Sequence, residues 1–277
     1  MSISKKLISL AKPLVEHYPR IASVYRGVRD QLSIMDEPVI TPWGFKLSGN
    51  PAMAEGKFEL VETELVSHLL QDVDVLVNVG ANIGYYCCHA LHMGKDVIAF
   101  EPMQKNLRFL CQNVKANGWK NIEIYPMALS NQVGVLDIYG ADTGASIVKG
   151  WAGTPESYVT LVPSSSLDLV LGSRLQGKQV LVLMDVEGAE KAVLEGATTL
   201  LRNDPKPLWL LEISSTEHQP HGVSINPHFA DTFKIMFDAG YEAFTVDKAM
   251  RRITWTEIEA AQDGDTSIFT THNFLFR

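Results

Sequence analysis

The sequence predicts a doubly wound α/β domain whose central sheet is seven-stranded and mostly parallel. Short, continuously apolar segments alternate with segments of helical periodicity, as in 75-VLVNVG-80, 96-DVIAFEP-102 and 179-QVLVLMD-185. A parallel sheet with helices on both faces produces this alternation, because its strands are buried on both sides. Ligands of such sheets bind at the carboxyl ends of the strands, so the residues that follow each strand are candidates for function.

The predicted elements follow one another along the chain. A helix at 57–70 is followed by strand 74–80, helix 85–92, strand 96–102, helix 103–116 and strand 122–126. A polar strand pair at 133–149 and 158–163 interrupts the alternation, which resumes with strand 179–185, helix 189–202, strand 207–214 and helix 227–239. No long helical pattern separates the last two strands, 241–247 and 268–277. We therefore predict that they form an antiparallel pair at one edge of the sheet.

Residues 4–33 form a separate segment of helical periodicity that is broken near Pro19. Its apolar face carries Leu7, Leu10, Leu14 and Val15. We therefore divide the chain into an N-terminal helical extension, residues 1–40, and one domain, residues 41–277. The extension is expected to pack on the domain; a homodimer contact or a substrate-gating arm are the alternatives.

Composition disfavours several partners. The chain of 277 residues carries 32 acidic and 24 basic side chains, which argues against binding to nucleic-acid phosphates. No apolar run approaches the roughly 18 residues of a transmembrane segment, and no secretory signal pattern is present. Cys87 and Cys88 are adjacent and no C-x-x-C spacing occurs, so we expect a reducing, cytoplasmic location.

The turn that follows the strand at 75–79 indicates the class of ligand. A dinucleotide fingerprint requires glycine at the first, third and sixth positions, which here hold Gly80, Asn82 and Tyr85. A phosphate loop with its lysine is also absent. The pattern therefore argues against a nicotinamide oxidoreductase and favours an adenosine ligand that carries no phosphates.

Particular residues of this turn suit such a ligand. Gly80 and Gly84 allow the backbone to approach a ribose and an amino-acid tail, and Asn82 tolerates an unusual φ. Glu101 ends the next strand, where it can accept hydrogen bonds from both ribose hydroxyls. The alternative is that the glycines only allow close packing of helix on strand.

An ordered set of motifs resembles the FkbM-type family of class I S-adenosylmethionine-dependent methyltransferases. The motifs are 41-TPWGFKL-47, 56-GKFELVETEL-65, 78-NVGANIGYY-86, 100-FEPMQKN-106, 127-MALS-130, 184-MDVEGAE-190 and 211-LEI-213. The resemblance implies a Rossmann-like fold and S-adenosylmethionine as cofactor. It also implies transfer of a methyl group to a hydroxyl of a sugar, a glycan or another natural product.

The resemblance also implies roles for individual residues. Gly80, Asn82, Gly84 and Tyr85 would hold the methionine part of the cofactor, and Glu101 would hold the ribose. Pro102 and Asn106 would shape the adenosine pocket, which Ala128, Leu129 and Ser130 would border at the adenine. Asn78 stands where the family usually has an aspartate that attracts the methionine ammonium. Glu59 or Glu62 could supply the missing charge, although an exposed helix face would also explain both.

The acids that follow two later strands are the catalytic candidates. Asp185 ends the strand at 179–185 and Glu187 follows it, and Glu212 lies at the carboxyl end of the strand at 207–214. Asp185 could instead cap the next helix. The histidines of the loop after Glu212, His218 and His221, could act as a proton acceptor or join Asp185 and Glu212 around a divalent cation. A metal is an open alternative here and is not predicted.

Two further questions concern the acceptor and activity itself. Trp151 or Tyr158 could stack on a sugar ring, and a tryptophan that anchors a loop is the alternative.

Loss of the acid at Asn78 raises the hypothesis of a cofactor-binding scaffold without catalysis. The presence of Asp185, Glu187 and Glu212 argues against that hypothesis, because a scaffold would not require acids near the methyl group.

Overall fold

A computed structural model of the protein describes residues 37–140 and 144–277. The helices predicted within residues 4–33, and the homodimer contact assigned to them, lie outside the described residues. Within the described part, no helix combines the length and the apolar character that a membrane crossing requires.

The main sheet confirms the predicted fold class, but it has eight strands where seven were predicted, because the two-residue strand Arg252–Ile253 adds one at the edge. Its eight strands are β3 (Val75–Val79), β4 (Asp96–Phe100), β5 (Ile122–Tyr125), β9 (Val180–Met184), β10 (Leu208–Glu212), β11 (Ala243–Thr245), β12 (Arg252–Ile253) and β13 (Asn273–Phe276). The order across the sheet is β12-β11-β13-β10-β9-β3-β4-β5. The five strands from β10 to β5 are parallel. The predicted antiparallel pair is present as β11 and β13, but β13 lies between β10 and β11 and β12 forms the edge.

Eight α-helices of the described residues surround this sheet or lead into it. They are α1 (Pro51–Ala54), α2 (Leu60–Leu69), α3 (Tyr85–His92), α4 (Gln104–Asn117), α5 (Leu167–Leu171), α6 (Glu190–Glu195), α7 (Phe229–Asp238) and α8 (Trp255–Gln262). Alternate residues of each strand contact opposite faces of a sheet. Accordingly, Val77 packs with Val193 and Phe233 on one face, and Leu76 packs with Cys87 and Leu110 on the other.

The polar strand pair forms a small sheet of its own, separate from the main one. Strand β8 (Val159–Ser165) lies between β6 (Ala128–Leu129) and β7 (Gly134–Tyr139), parallel to the first and antiparallel to the second. A hairpin of two short strands, β1 (Val39–Ile40) and β2 (Lys46–Leu47), precedes the main sheet in the chain. Phe45 and Leu47 of this hairpin belong to the same core cluster as Phe109. The small sheet therefore borders the carboxyl end of the main sheet and does not extend it.

One predicted helix was too long, and helices α1, α5 and α8 were not predicted. The helix predicted at 189–202 stops at Glu195, and a 3-10 turn follows at Leu200–Arg202. Gly196 lies at the break, where an added Cβ would be 2.5 Å from the carbonyl oxygen of Ser130. Helix α8 was not predicted, although Thr254 and Glu257 form the capping box that marks its start.

Candidate active site

Two adjoining cavities open at the carboxyl ends of the parallel strands. The first encloses about 620 Å³ and lies above β3 and β4, beside the small sheet. The second encloses about 540 Å³ and lies above β3, β9 and β10. Gly80, Asn82 and Asp185 line both cavities, so one elongated ligand could occupy them together. This is the edge at which the strand pattern predicts a ligand site.

The first cavity collects most of the residues assigned to the adenosine. Its walls include Glu101, Pro102, Asn106, Ala128 and Leu129. They also include apolar side chains that the sequence did not single out: Phe100, Met103, Met127, Ile138, Ala145 and Ile147. An apolar slot with a few fixed polar groups is the usual character of a small-molecule pocket.

Glu101 is the fixed polar group of this cavity. Its carboxylate accepts hydrogen bonds from the backbone N–H of Asn82 (2.8 Å) and Met103 (2.7 Å), and from the side-chain amide of Asn106 (3.3 Å). Burial raises the pKa of Glu101, and these hydrogen bonds oppose the rise. The contacts hold the carboxylate in one orientation, and its remaining lone pairs can accept from two hydroxyl groups.

The glycines of the turn are required by close packing. Gly80 has φ +81°, and an added Cβ would be 1.8 Å from the carbonyl oxygen of Asp185. Gly84 has φ +83°, and an added Cβ would be 2.3 Å from Leu110 Cδ1. Gly80 lines both cavities, whereas Gly84 lies outside them at the start of α3. Asn82 also has a positive φ, of +51°, which asparagine tolerates better than most residues.

Asn78 lies in the wall of the second cavity and is 2% exposed. Its amide nitrogen donates to Cys87 Sγ at 3.4 Å, while its Oδ1 is buried without a hydrogen-bond partner. A buried acceptor without a partner is costly, and it is often completed by a ligand. Asn78 therefore presents a free acceptor oxygen to the second cavity, at the position where the resemblance implies an aspartate.

Aromatic residues and acids complete the second cavity. Phe58, Tyr85 and Tyr86 line it together with Glu59 and Glu62. Tyr86 donates its hydroxyl to Glu59 Oε2 at 2.8 Å, and burial, the largest cause, raises the pKa of Glu59. Glu59 and Glu62 both line the cavity, so they do not lie on an exposed helix face, which was the alternative explanation for them.

Asp185 and Glu212 contribute the acids from the ends of β9 and β10. Asp185 Oδ1 is buried without a hydrogen-bond partner. Burial, followed by the charge of Glu187, raises the pKa of Asp185 well above its usual value. Burial, followed by the charge of Asp185, raises the pKa of Glu212 to about 10. Carboxyl groups that destabilise one another in this way form a site for protons or for a positive charge.

Glu187 is fixed at the border of the first cavity. It has φ +53°, and its Oε2 accepts the indole N–H of Trp151 at 2.6 Å. Trp151 is 2% exposed, so it anchors its loop and presents no open ring to a sugar. His218 Nδ1 lies 3.7 Å from the same carboxylate oxygen, and the His218 carbonyl accepts the backbone N–H of Ala152. Two loops are thereby joined above Glu187.

Some residues named from the sequence do not reach the cavities. Gly84, Ser130, His218 and His221 are absent from both walls. Ser130 is buried, and its Oγ accepts the backbone N–H of Gln132. Among the residues that the structure describes, no group of three His, Cys, Asp or Glu side chains is placed to hold a metal ion. Asp185, Glu212 and the loop histidines therefore do not form a preformed metal site.

Residues from the C-terminal strand were missed by the sequence analysis. Asn273, the first residue of β13, lines the second cavity and donates its amide to Glu62 Oε1 at 3.1 Å. His272 precedes it and lies beside Glu212. Nothing in the local sequence 271-THNF-274 reveals this placement, because it depends on insertion of β13 between β10 and β11.

Comparison with known proteins identifies the class to which the fold and site belong. The profile described as "Methyltransferase FkbM domain" matches residues 78–243. The mostly parallel sheet, with helices around it, has the Rossmann-like fold of class I S-adenosylmethionine-dependent methyltransferases. Within that class, the chain belongs to the FkbM methyltransferase family, and its cofactor is S-adenosylmethionine.

Three solved structures illustrate the similarity of the fold. Precorrin-6y C5,15-methyltransferase from Geobacter metallireducens is 12% identical, with 71% of this chain and 78% of that chain covered and a TM-score of 0.39. Fibrillarin from Aeropyrum pernix, in complex with S-adenosyl-L-methionine, is 12% identical over 77% and 73%, with a TM-score of 0.40. A SAM-dependent methyltransferase from Agrobacterium tumefaciens is 11% identical over 74% and 58%, with a TM-score of 0.41. No curated protein matches the sequence significantly.

The residues present fit this cofactor. Three residues of the cavity walls have a buried side-chain oxygen without a hydrogen-bond partner: Asn78 (Oδ1) in the second cavity, and Asn82 (Oδ1) and Asp185 (Oδ1), which line both cavities. Neither cavity is lined by Lys or Arg among the described residues, whereas Glu59, Glu101, Asp185, Glu187 and Glu212 contribute acids. The cofactor carries a sulfonium and an ammonium, so it would compensate this negative charge.

Proposed function

We propose that this protein transfers a methyl group to a hydroxyl oxygen of a small acceptor, such as a sugar, a glycan or another natural product. The observation that carries the proposal is the pairing of Asp185 and Glu212 in the second cavity. An alcohol is a poor nucleophile at neutral pH, and a carboxylate of raised pKa is a stronger base than an ordinary one. The site therefore contains a base where an alcohol must lose its proton.

In this mechanism S-adenosylmethionine supplies an electrophilic methyl group when it is bound. Glu101 would hold the ribose hydroxyls, and Asn78 Oδ1 with Glu59 would attract the methionine ammonium. Asp185, which borders both cavities, places negative charge near their junction. Glu212 accepts the proton of the acceptor hydroxyl. Alignment of the acceptor oxygen with the methyl group supplies much of the remaining acceleration.

The outer wall of the second cavity suits a polar acceptor with an apolar face. Met53 and Phe58 offer apolar contact, and Glu62 and Asn273 offer hydrogen-bonding groups. A sugar ring has both kinds of surface. The acidic chain and acid-lined cavities also favour such an acceptor over a nucleic acid. We propose a cytoplasmic setting for the reaction, as the sequence predicts.

The acceptor class can be tested directly with the full chain. The protein is incubated with S-adenosylmethionine and a panel of free sugars, methyl glycosides and a short RNA, with and without EDTA. Product mass and NMR then locate the new methyl group. We expect an O-methyl group on a sugar; methylation of RNA alone, or of a nitrogen or carbon atom, would contradict the proposal.

Variants connect the reaction to the two acids. Glu212→Gln should lower kcat by about 10²- to 10⁴-fold, the range for removal of a general base, with cofactor binding retained. The matched control is Glu259→Gln, an exposed change on α8. Cofactor binding without transfer to any acceptor would support instead the scaffold that binds the cofactor without catalysis.

A further inference from the structure

His272, which is not one of the loop histidines His218 and His221, lies next to Glu212. The backbone N–H of Ile213 donates to the carbonyl oxygen of His272 at 2.7 Å, which holds the residue before β13 beside the end of β10. As a result, His272 Nε2 lies 3.8 Å from Glu212 Oε1. The other ring nitrogen, Nδ1, lies 3.1 Å from Glu217 Oε2. One imidazole therefore bridges an acid of the cavity and an acid of the surface.

The exposure of these three side chains increases from the cavity outwards. The Glu212 side chain is 24% exposed, that of His272 is 43% exposed, and that of Glu217 is 59% exposed. An acceptor in the second cavity would cover the face of Glu212 that lines it. Neither His272 nor Glu217 lines either cavity. The three residues therefore lead from the second cavity towards solvent.

We propose that His272 is the residue through which Glu212 loses its proton to solvent. The inference rests on the proposed function, because it concerns the proton that the acceptor releases. His272 does not touch the reacting atoms, so it is a positioning and proton-relay residue that acts through Glu212. Nothing in the resemblance or in the local sequence pattern assigns it this role.

The step balances in atoms and electrons. The acceptor oxygen forms a bond to the methyl carbon, the carbon–sulfur bond breaks with its electron pair on sulfur, and the hydroxyl proton passes to Glu212. Glu212 Oε1 and His272 Nε2 are 3.8 Å apart, so the carboxyl group of Glu212 then gives this proton to Nε2 through one bridging water molecule, and His272 becomes an imidazolium. Release of a proton from the imidazolium to water beside Glu217 restores both groups, so no other reactant is needed.

The electrostatic surroundings explain why Glu212 needs such a partner. Asp185, Glu187, Glu59 and Glu190 all face it with like charge, and together with burial they raise its pKa to about 10. Without a compensating positive charge, a carboxyl group in this state keeps its proton at neutral pH; the sulfonium and ammonium of a bound cofactor would oppose this rise, and Glu212 must then lose the proton that it takes from each acceptor. A neighbouring imidazole that accepts the proton returns Glu212 to its active form.

Glu217 gives the imidazole its orientation. His272 Nδ1 lies 3.1 Å from Glu217 Oε2, and a carboxylate can only accept, so we assign the hydrogen of a neutral His272 to Nδ1 and the lone pair of Nε2 to the side of Glu212. The charged groups around the ring are Glu212, Glu217 and Glu59. The arrangement matches the general pattern in which a carboxylate sets the tautomer of a catalytic histidine.

The first test needs neither cofactor nor acceptor. Nitrogen-15 NMR of the histidine rings of the full chain, assigned with His272→Gln, reports which ring nitrogen carries the hydrogen. We expect the Nδ1–H tautomer in the wild type and loss of this preference in Glu217→Ala. An Nε2–H tautomer in the wild type would overturn the proposal, because Nε2 would then have no lone pair to offer.

The second test uses the acceptor that the wild type methylates best in the sugar panel. His272→Ala should lower kcat by about 10²-fold while the Kd for S-adenosylmethionine is unchanged, and added imidazole should restore most of the rate. His68→Ala, an exposed change on α2, is the matched control. An unchanged kcat, or a loss that imidazole does not restore, would overturn the relay.

The two tests separate failure of the relay from failure of the proposed function. If wild-type protein methylates no acceptor, the proposed function fails, and the tautomer measurement alone decides whether His272 is arranged to take a proton from Glu212. If the wild type is active and His272→Ala behaves like the wild type, the function stands and the relay is wrong.

Discussion

Gly80 packs so closely against the backbone of Asp185 that a Cβ on Gly80 would lie 1.8 Å from the Asp185 carbonyl oxygen. The contact joins the end of β3 to the end of β9, because the Asp185 N–H also donates to the Val79 carbonyl at 3.0 Å. The turn under the cofactor and the first catalytic candidate are therefore one rigid unit. A glycine at position 80 serves packing as well as ligand access.

Gly80→Ala tests this unit. The clash is with backbone, which cannot rotate away, so the variant should lose roughly 3 kcal/mol or more of stability through overpacking and strain. Gly94→Ala is the matched control, since Gly94 has φ +76° and an added Cβ would meet nothing within 4 Å. Urea unfolding of both variants separates the clash from the cost of a positive φ alone, about 1–2 kcal/mol. An equal loss of stability in Gly80→Ala and Gly94→Ala would contradict the packing argument.

Asn78→Asp should strengthen cofactor binding. A charge-assisted hydrogen bond is about twice as strong as a neutral one, so we expect Kd for S-adenosylmethionine to fall by about fivefold to tenfold. The control ligand is 5′-methylthioadenosine, which has no ammonium and should bind both proteins equally. Equal tightening for both ligands would show that the ammonium does not contact residue 78.

The indole N–H of Trp151 fixes Glu187, and Trp151→Phe removes that donor while it keeps an aromatic ring. A hydrogen bond to a charged group contributes about 1.5–3 kcal/mol, so the free energy of unfolding should fall by roughly that amount. Trp255→Phe, at a tryptophan that is 38% exposed on α8, should cost much less. Chemical denaturation compares the two. Similar losses would mean that the bond from Trp151 to Glu187 contributes little.

Buried acids make stability depend on pH in a defined direction. Burial, the largest cause, raises the pKa of Glu190 to about 7 from an ordinary 4.5. The folded state then binds more protons than the unfolded state between these values, so stability is greatest at low pH and falls as pH rises through 7. One pKa unit corresponds to about 1.4 kcal/mol, so the fall attributable to Glu190 is about 3 kcal/mol.

Glu190→Gln should flatten that dependence between pH 5 and pH 7.5. Glu212→Gln should flatten it further towards pH 10, because the pKa of Glu212 is about 10. Glu259→Gln, on an exposed face of α8, should leave the slope unchanged. The measurement is the free energy of unfolding in urea at several pH values. A slope unchanged in Glu190→Gln would contradict the assignment.

The local sequence reveals those parts of the site that follow a strand directly. The sequence predicted four of these positions: the turn at Gly80 and the acids Glu101, Asp185 and Glu212. Each lies at the end of an apolar run, and the carboxyl end of such a strand is where a ligand binds. The sequence also predicted part of the arrangement of the antiparallel pair. Its strands were recognised, but the insertion of β13 between β10 and β11 was not.

What the sequence did not reveal depends on long-range pairing. His272 and Asn273 reach the cavity only because β13 pairs with β10, and residues 145 and 147 reach it only through the small sheet. Gly196 ends α6 because of a contact with Ser130, which is distant in sequence. The capping box at Thr254 was visible locally and would have predicted α8. Tertiary contacts, in contrast, leave no such local pattern.

The most direct test of the central claim is methyl transfer to a hydroxyl, measured together with cofactor binding. Titration calorimetry of the full chain should show micromolar binding of S-adenosylmethionine, and the sugar panel should give an O-methylated product that Glu212→Gln fails to form. No binding to the wild type or to Asn78→Asp would contradict the cofactor assignment to these cavities. Binding with a product methylated at nitrogen or carbon would retain the cofactor site and contradict the proposed reaction.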